Sequence, residues 1–223
     1  MIAAISNERP AAALTALAGR DSMKDREVRA RRILRDQSAT GDDDLMAIRS
    51  GLAWLYRVAS GGQVQVVALR FPGDLVLPAE LRSGFGVQAV VASKVTAVPA
   101  RNLSDGGKKN DPCRLLLPIV ERQHRIALQW LVRGTFQTAE KVAHLLCEMA
   151  ERSGLSQQSD TPFSVPLTQL QIAAITGQTG VNVNRVLAGF QREGLLARAG
   201  PRRYTANWDA LRQLGRFDPA YLL

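Results

Sequence analysis

The chain has 223 residues, enough for one large domain or two modest ones, and we expect two. Hydrophobic residues make up 46% and charged residues 22%, a composition that excludes wholesale disorder. The formal net charge of +9 favours an anionic partner such as nucleic acid, although solvated lysine and arginine side chains alone would give the same value.

The amino-terminal apolar stretch is interrupted by Glu8, Arg9 and Pro10, so neither a signal peptide nor a membrane span is predicted there. No later segment reaches about 18 uninterrupted apolar residues. Two cysteines, Cys113 and Cys147, are too few and too far apart for a disulfide framework or a CxxC metal site. We therefore expect a reduced, cytoplasmic protein with no membrane partner.

Residues 10–35 mix alanine and leucine with a basic run from Arg26 to Arg35, which predicts one or two helices with a charged, solvated face. From Leu45 to Leu103 the pattern changes to short strands. Residues 52–58 and 64–68 alternate around the turn Ser60-Gly61-Gly62 and predict a β-hairpin. The turn at 71–74 and the apolar segments 87–92 and 95–98 follow. This region predicts a small antiparallel barrel or roll.

A polar, glycine-rich linker at residues 101–112 precedes a helical pattern that starts near Pro118 and runs for about four turns. One broad stripe of this helix carries Ile119, Gln123, Ile126 and Trp130. The stripe is wide enough to pack on its own domain and on a second copy, so we predict a homodimer; packing within the chain alone is the alternative. A further helix is predicted from Thr138 to Arg152, ending at Gly154.

Two short helices joined by a glycine turn are predicted next, which is the pattern of a helix-turn-helix. Thr168 and Gln171 form a capping box that starts the first helix, and Leu167 with Ile172 can form a hydrophobic staple. Gly177 turns the chain and Thr179 caps the second helix. The second helix has apolar residues at Val183, Val186, Leu187 and Phe190 and ends at Gly194. An ordinary helical hairpin is the alternative.

The polar face of the second helix has no acidic residue before Glu193, and its arginine and asparagine side chains suit the base edges of a major groove. Residues 195–198 and 203–205 predict a hairpin around Gly200-Pro201 with an arginine-rich tip for phosphates. From Ser164 onward, seven arginines against three acidic residues leave a local charge of +4. The predicted DNA-binding residues are Thr168, Gln169, Thr179, Val181, Asn182, Asn184, Arg185, Arg192, Arg202 and Arg203.

Six segments together resemble the Crp/Fnr family of regulators over nearly the whole chain. They are SGLAWLYRV, FPGDL, LQWLV, AEKVAHLLCEM, LTQLQIAAITGQTGVNVNRVL and FDPAYL. The resemblance implies an α+β fold with a cyclic-nucleotide-binding-like β-roll (residues 1–112), a dimerisation helix (113–135) and a winged helix-turn-helix (136–223). It implies a homodimer that binds palindromic double-stranded DNA in the cytoplasm and contacts RNA polymerase if it activates transcription.

The sensor region departs from the family pattern. Leu77-Pro78 stands where the cyclic-nucleotide branch has Gly-Glu, and residues 86–89 lack the arginine that would hold the phosphate. Nothing before Cys113 can ligate an iron–sulfur cluster, and His124 and His144 are isolated. We therefore expect no cofactor and an effector that is unknown or absent.

Two other classes of function compete with DNA binding. The sequence has no GxSxG, P-loop or HExxH motif, which argues against an enzyme. A sensor or interaction module that binds a partner protein, with its basic face serving only solubility, is the alternative to a DNA-binding regulator.

Overall fold

The computed structural model describes residues 24–35, 44–98, 112–154 and 162–223. The chain forms two units, residues 1–124 and 125–223, and the boundary between them falls inside one long helix. The first unit is mostly strand and the second mostly helix, so the predicted α+β class is confirmed. Among the described residues, no helix combines the length and apolar character needed to cross a bilayer.

Antiparallel sheets make up most of the first unit. Its strands are β1 Lys24–Val28, β2 Ile33–Arg35, β3 Leu45–Ser50, β4 Ala53–Val58, β5 Val64–Arg70, β6 Leu75–Val76, β7 Gly86–Ala89 and β8 Ser93–Val98, with the short helix α1 Pro78–Arg82 after β6. The strand orders are β1-β8-β3-β6 and β2-β7-β4-β5. Ile48, Leu55, Val87 and Val95, each from a different strand, share one buried apolar cluster. The predicted roll and its hairpin β4–β5 are therefore confirmed.

The helix predicted within residues 10–35 is wrong for the part that the structure describes. Lys24–Val28 is a strand that pairs with β8, and Ile33–Arg35 pairs with β7. Pairing with distant strands decides this segment, because strand formation depends more on neighbours than on local sequence. Residues 10–23 lie outside the described part of the chain.

The long helix α2 runs from Pro112 to Arg133, six residues further upstream than its predicted start at Pro118. Pro112 occupies the first turn, where a proline costs no backbone hydrogen bond, and Pro118 is accommodated inside the helix. Arg122 donates to Asp74 Oδ1 over 2.7 Å. The Gln123 amide donates to the carbonyl of Leu75 and accepts from its N–H, both over 2.9 Å. These bonds attach α2 to the turn before β6.

The second unit also contains α3 Thr138–Arg152, β9 Phe163–Ser164, α4 Gln169–Thr176, α5 Gly180–Arg192, β10 Leu196–Gly200, β11 Arg203–Ala206, α6 Trp208–Leu214 and a 3-10 helix Pro219–Leu222. The helix α3 has the predicted bounds. The strands form an antiparallel sheet of order β10-β11-β9. The short strand β9 was not predicted, because two residues carry no alternation that a sequence pattern could reveal.

Two polar side chains of α3 are buried in the second unit. Glu148 accepts from Trp130 Nε1 over 3.0 Å and from Arg152 over 3.1 Å. His144 Nδ1 lies 2.9 Å from the carbonyl of Gly215, which can only accept, so Nδ1 carries the proton. Its Nε2 then accepts from the Tyr221 hydroxyl over 3.2 Å. Burial lowers the pKa of His144 below its usual 6.5, which keeps the ring neutral.

Candidate nucleic-acid interface

The first helix of the candidate interface, α4, begins at a capping box. Thr168 Oγ1 accepts from the N–H of Gln171 over 3.2 Å, and Gln171 Oε1 accepts from the N–H of Thr168 over 2.8 Å. Leu167 and Ile172 are both buried on either side of the cap. The helix end is thereby fixed by its own sequence, as the S/T-x-x-Q pattern predicts.

The turn between α4 and α5 uses a left-handed residue. Gly177 has φ +66°, a left-handed conformation that glycine adopts without steric strain, and it ends α4. Thr179 Oγ1 then accepts from the N–H of Asn182 over 3.2 Å and starts α5. Val183, Leu187 and Phe190 of α5 are buried. The predicted helix-turn-helix is confirmed, with its second helix held by one apolar face.

The opposite face of α5 is exposed and carries groups that can bind base edges. Val181, Asn184, Arg185 and Ala188 recur at the i, i+3, i+4, i+7 spacing of one helix face, and all four are exposed. Arg185 forms no hydrogen bond or ion pair with any described residue, so its donors are available. Arginine can donate twice to guanine, asparagine can bond to adenine and valine can contact the thymine methyl group.

Strands β10 and β11 form a hairpin, called the wing below, with a bulge between Arg198 and Gly200. Its turn places Arg202 at φ +54°, and Arg198, Arg202 and Arg203 are all exposed. The strand β9 pairs with β11, and the N–H of Val165 donates to the carbonyl of Arg202 over 2.9 Å. The segment before the helix-turn-helix therefore fixes the wing turn.

The wing and the start of α4 share one cleft. Thr168, Gln169, Arg198 and Arg202 line this cleft, which has a volume of about 400 Å³. Its arginines can donate to anionic oxygens, and the first peptide N–H groups of α4 carry the positive end of the helix dipole. This combination suits a phosphate of a nucleic-acid backbone.

All ten predicted DNA-binding residues lie in the second unit, and two of them also cap helices. Thr168 and Thr179 use their hydroxyl oxygens as helix caps. Arg192 lies exposed at the end of α5. Gln169 contributes a contact that the sequence did not indicate, because its Nε2 donates to Asn184 Oδ1 over 3.2 Å.

The four residues predicted to pair two subunits make contacts within their own chain. Ile119 packs with Leu45 and Leu75, and Gln123 bonds to Leu75. Ile126 is buried and Trp130 donates to Glu148. The periodicity located an apolar stripe correctly but could not tell which partner covers it. The exposed apolar residues of α2 are Leu117, Leu128, Leu131 and Val132.

The segment that departs from the cyclic-nucleotide pattern includes Leu77 and the short helix α1. Leu77 precedes α1, whose Glu80 forms an ion pair with the buried Arg70. Within the described residues, no group of three or more His, Cys, Asp or Glu side chains is arranged to hold a metal ion. Burial raises the pKa of Cys147 to about 12, so this thiol stays protonated at neutral pH.

Comparisons with known proteins find a matching domain family for the second unit and similar proteins over most of the chain. Residues 140–214 match the family described as the Crp-like helix-turn-helix domain. The fumarate and nitrate reduction regulatory protein of Shigella dysenteriae is 29% identical over 185 residues, covering 78% of this chain and 72% of the relative. Regulatory protein HlyX of Actinobacillus pleuropneumoniae is 27% identical, covering 72% and 70%.

Solved structures show the same fold. FixK2 from Bradyrhizobium japonicum superposes with a TM-score of 0.72 at 22% identity, over 86% of this chain and 96% of its own. A CRP-family transcriptional regulator from Thermus thermophilus gives 0.71 at 18% identity, over 86% and 97%. The predicted architecture of β-roll, long helix and winged helix-turn-helix is therefore confirmed.

Proposed function

We propose that this chain, which belongs to the Crp/Fnr family of DNA-binding transcriptional regulators, binds a palindromic operator as a homodimer. In this proposal the helix α5, called the recognition helix from here on, enters the major groove, and the wing binds phosphates. The family is one of regulators and not of enzymes, so the proposal concerns binding and its control.

One observation carries the proposal: the exposed face of the recognition helix holds Val181, Asn184 and Arg185 with no acidic side chain among them. Its buried face is fixed by Val183, Leu187 and Phe190, so the exposed groups are held on a rigid element. Base contacts supply specificity, and the arginines of the wing supply position and affinity.

The exposed leucines of α2 support a second copy of this chain as the binding partner. Leu128 is 49% exposed, Leu131 73% and Val132 52%, and they lie within two turns of one helix. Adjacent exposed leucines on a helix are the pattern that a helix–helix interface covers. Paired helices would present two recognition helices, which matches a two-fold symmetric operator.

The proposal leaves the sensor without an assigned small molecule. Arg70 forms an ion pair with Glu80. Residues 86–89 form the strand β7, which pairs with β2 and β4. We therefore expect cyclic AMP neither to bind nor to change DNA affinity, and we assign no cofactor. RNA polymerase is the additional partner if the protein activates transcription.

Selection of bound sequences from a random double-stranded DNA pool tests the proposal. We expect a palindromic consensus, and binding to that consensus at least about 1,000-fold tighter than to random DNA at physiological salt. Calorimetric titration with cyclic AMP supplies the matched test of the sensor. Binding without any sequence preference would contradict the regulator and favour a module that recognises a partner protein.

A further inference from the structure

The starts of α4 and of the recognition helix lie against each other. An added Cβ at Gly180 would lie 3.1 Å from Leu170 Cδ2, so a glycine at this position lets the two helix ends approach closely. One residue before Leu170, Gln169 Nε2 donates to Asn184 Oδ1 over 3.2 Å. The close contact between Gly180 and the Leu170 side chain goes with the two exposed amides being within reach of each other.

This hydrogen bond changes what Asn184 offers to a base. An asparagine amide is planar and carries one acceptor oxygen and one NH2 group with two N–H donors, at two different corners of that plane. A free asparagine uses both sides and bonds twice to adenine, accepting from N6 and donating to N7. When the oxygen is turned toward Gln169, the N–H donors of Asn184 point away from Gln169.

Donors alone complement a different set of base edges. Guanine presents two acceptors in the major groove, N7 and O6, and thymine presents O4. Adenine presents an N–H donor at N6, which cannot bind an N–H donor of Asn184 and would need the oxygen that faces Gln169. We propose that Gln169 is a positioning residue that sets sequence specificity through Asn184, so that this asparagine binds guanine or thymine in preference to adenine. This inference rests on the proposed function and concerns one base position in each half-site.

The test compares three full-length variants with the parent protein on operator libraries. Asn184→Ala identifies the base position, because the preference there should disappear while the other positions keep theirs. Gln169→Leu frees the oxygen of Asn184, and we expect adenine to gain about fivefold or more over guanine at that position. Gln169→Glu can only accept, so it should turn the amide of Asn184 and favour cytosine or adenine, whose edges donate.

A charge-matched control separates this effect from electrostatic repulsion. Gln191→Glu adds the same charge to the exposed side of the recognition helix, seven residues beyond Asn184. It should weaken binding to all sequences and leave the base preference at the Asn184 position unchanged. Melting temperatures of the variants should match the parent, since Gln169 is exposed and caps neither helix.

Each result decides the inference. Equal base preferences in the parent, Gln169→Leu and Gln169→Glu proteins would overturn it, as would an Asn184→Ala variant that loses no preference. Uniform weakening at every position would assign Gln169 a phosphate contact and also overturn it. A parent protein that selects no sequence would remove the proposed function itself, whereas a clear consensus with unchanged Gln169 variants would remove the inference alone.

Discussion

Arg185 and Arg202 should affect DNA binding in two distinguishable ways, because one lies on the recognition helix and the other on the wing turn. Replacing Arg185 with alanine removes a donor pair for guanine, worth about 1–3 kcal/mol per half-site. A dimer loses two such contacts, about 2–6 kcal/mol, which weakens operator binding by at least about thirtyfold. Binding to random DNA should change little.

In this test Arg202 is replaced by glycine. Its φ of +54° is a left-handed conformation that is strained for any residue with a Cβ, so glycine removes the arginine side chain without adding backbone strain. Losing one phosphate contact in each subunit should flatten the slope of log affinity against log salt by about 1.8 units. Between about 50 and about 200 mM salt, the variant should then lose about twelvefold less affinity than the parent.

Fluorescence anisotropy on operator and random duplexes at four or more salt concentrations gives both quantities. Arg202→Gly should weaken the two duplexes alike, and Arg185→Ala should lower the ratio between them. If Arg185→Ala left that ratio unchanged, the assignment of α5 as the recognition helix would have to be abandoned.

Three further outcomes concern assembly and stability. Leu128→Glu with Leu131→Glu should give monomers in sedimentation and abolish tight operator binding, because charges would enter the proposed pairing face; intact dimers would refute that face. Glu148→Leu should cost about 3–5 kcal/mol in urea unfolding, because it removes the buried carboxylate that accepts from both Trp130 and Arg152, whereas Trp130→Phe should cost only about 1–2; equal losses would argue against a charged network. Because the pKa of His144 is lowered in the folded protein, the unfolded chain takes up a proton at a higher pH than the folded chain does. The free energy of unfolding should therefore have its full value above about pH 6.5 and fall at lower pH by at most about 1.4 kcal/mol per pH unit. His144→Gln should lose that dependence in urea titrations from pH 5 to 7.5, and an unchanged slope would point to another group.

Local chemistry explains which elements the sequence could predict. The capping residues Thr168 and Thr179 and the left-handed Gly177 satisfy helix ends within a few residues, so their signals need no knowledge of the fold. The hairpin β4–β5 is equally local. These features carried the prediction of the helix-turn-helix, and the alternation of the strands carried that of the roll.

Features that depend on residues distant in sequence could not be predicted from the sequence. Lys24–Val28 forms a strand by pairing with β8, which is distant in sequence. Gln123 has the position of an interface residue in the sequence pattern, but in the structure its side-chain amide bonds to the backbone of Leu75. The contact between Gln169 and Asn184 has no sequence signal either, since it requires the closeness of the two helix ends. Periodicity identifies a buried stripe but not what buries it.

The strand order β10-β11-β9 leaves β10 as an outer strand of its sheet. Outer strands can pair with other chains and start aggregation, and charged side chains along them oppose this. Arg198 is exposed in the middle of β10 and carries such a charge. The same arginine that lines the cleft proposed to bind phosphate would thus also oppose pairing of β10 with strands of other chains. Neutral substitutions of this residue, made to weaken DNA binding, would therefore be expected to lower solubility at high concentration.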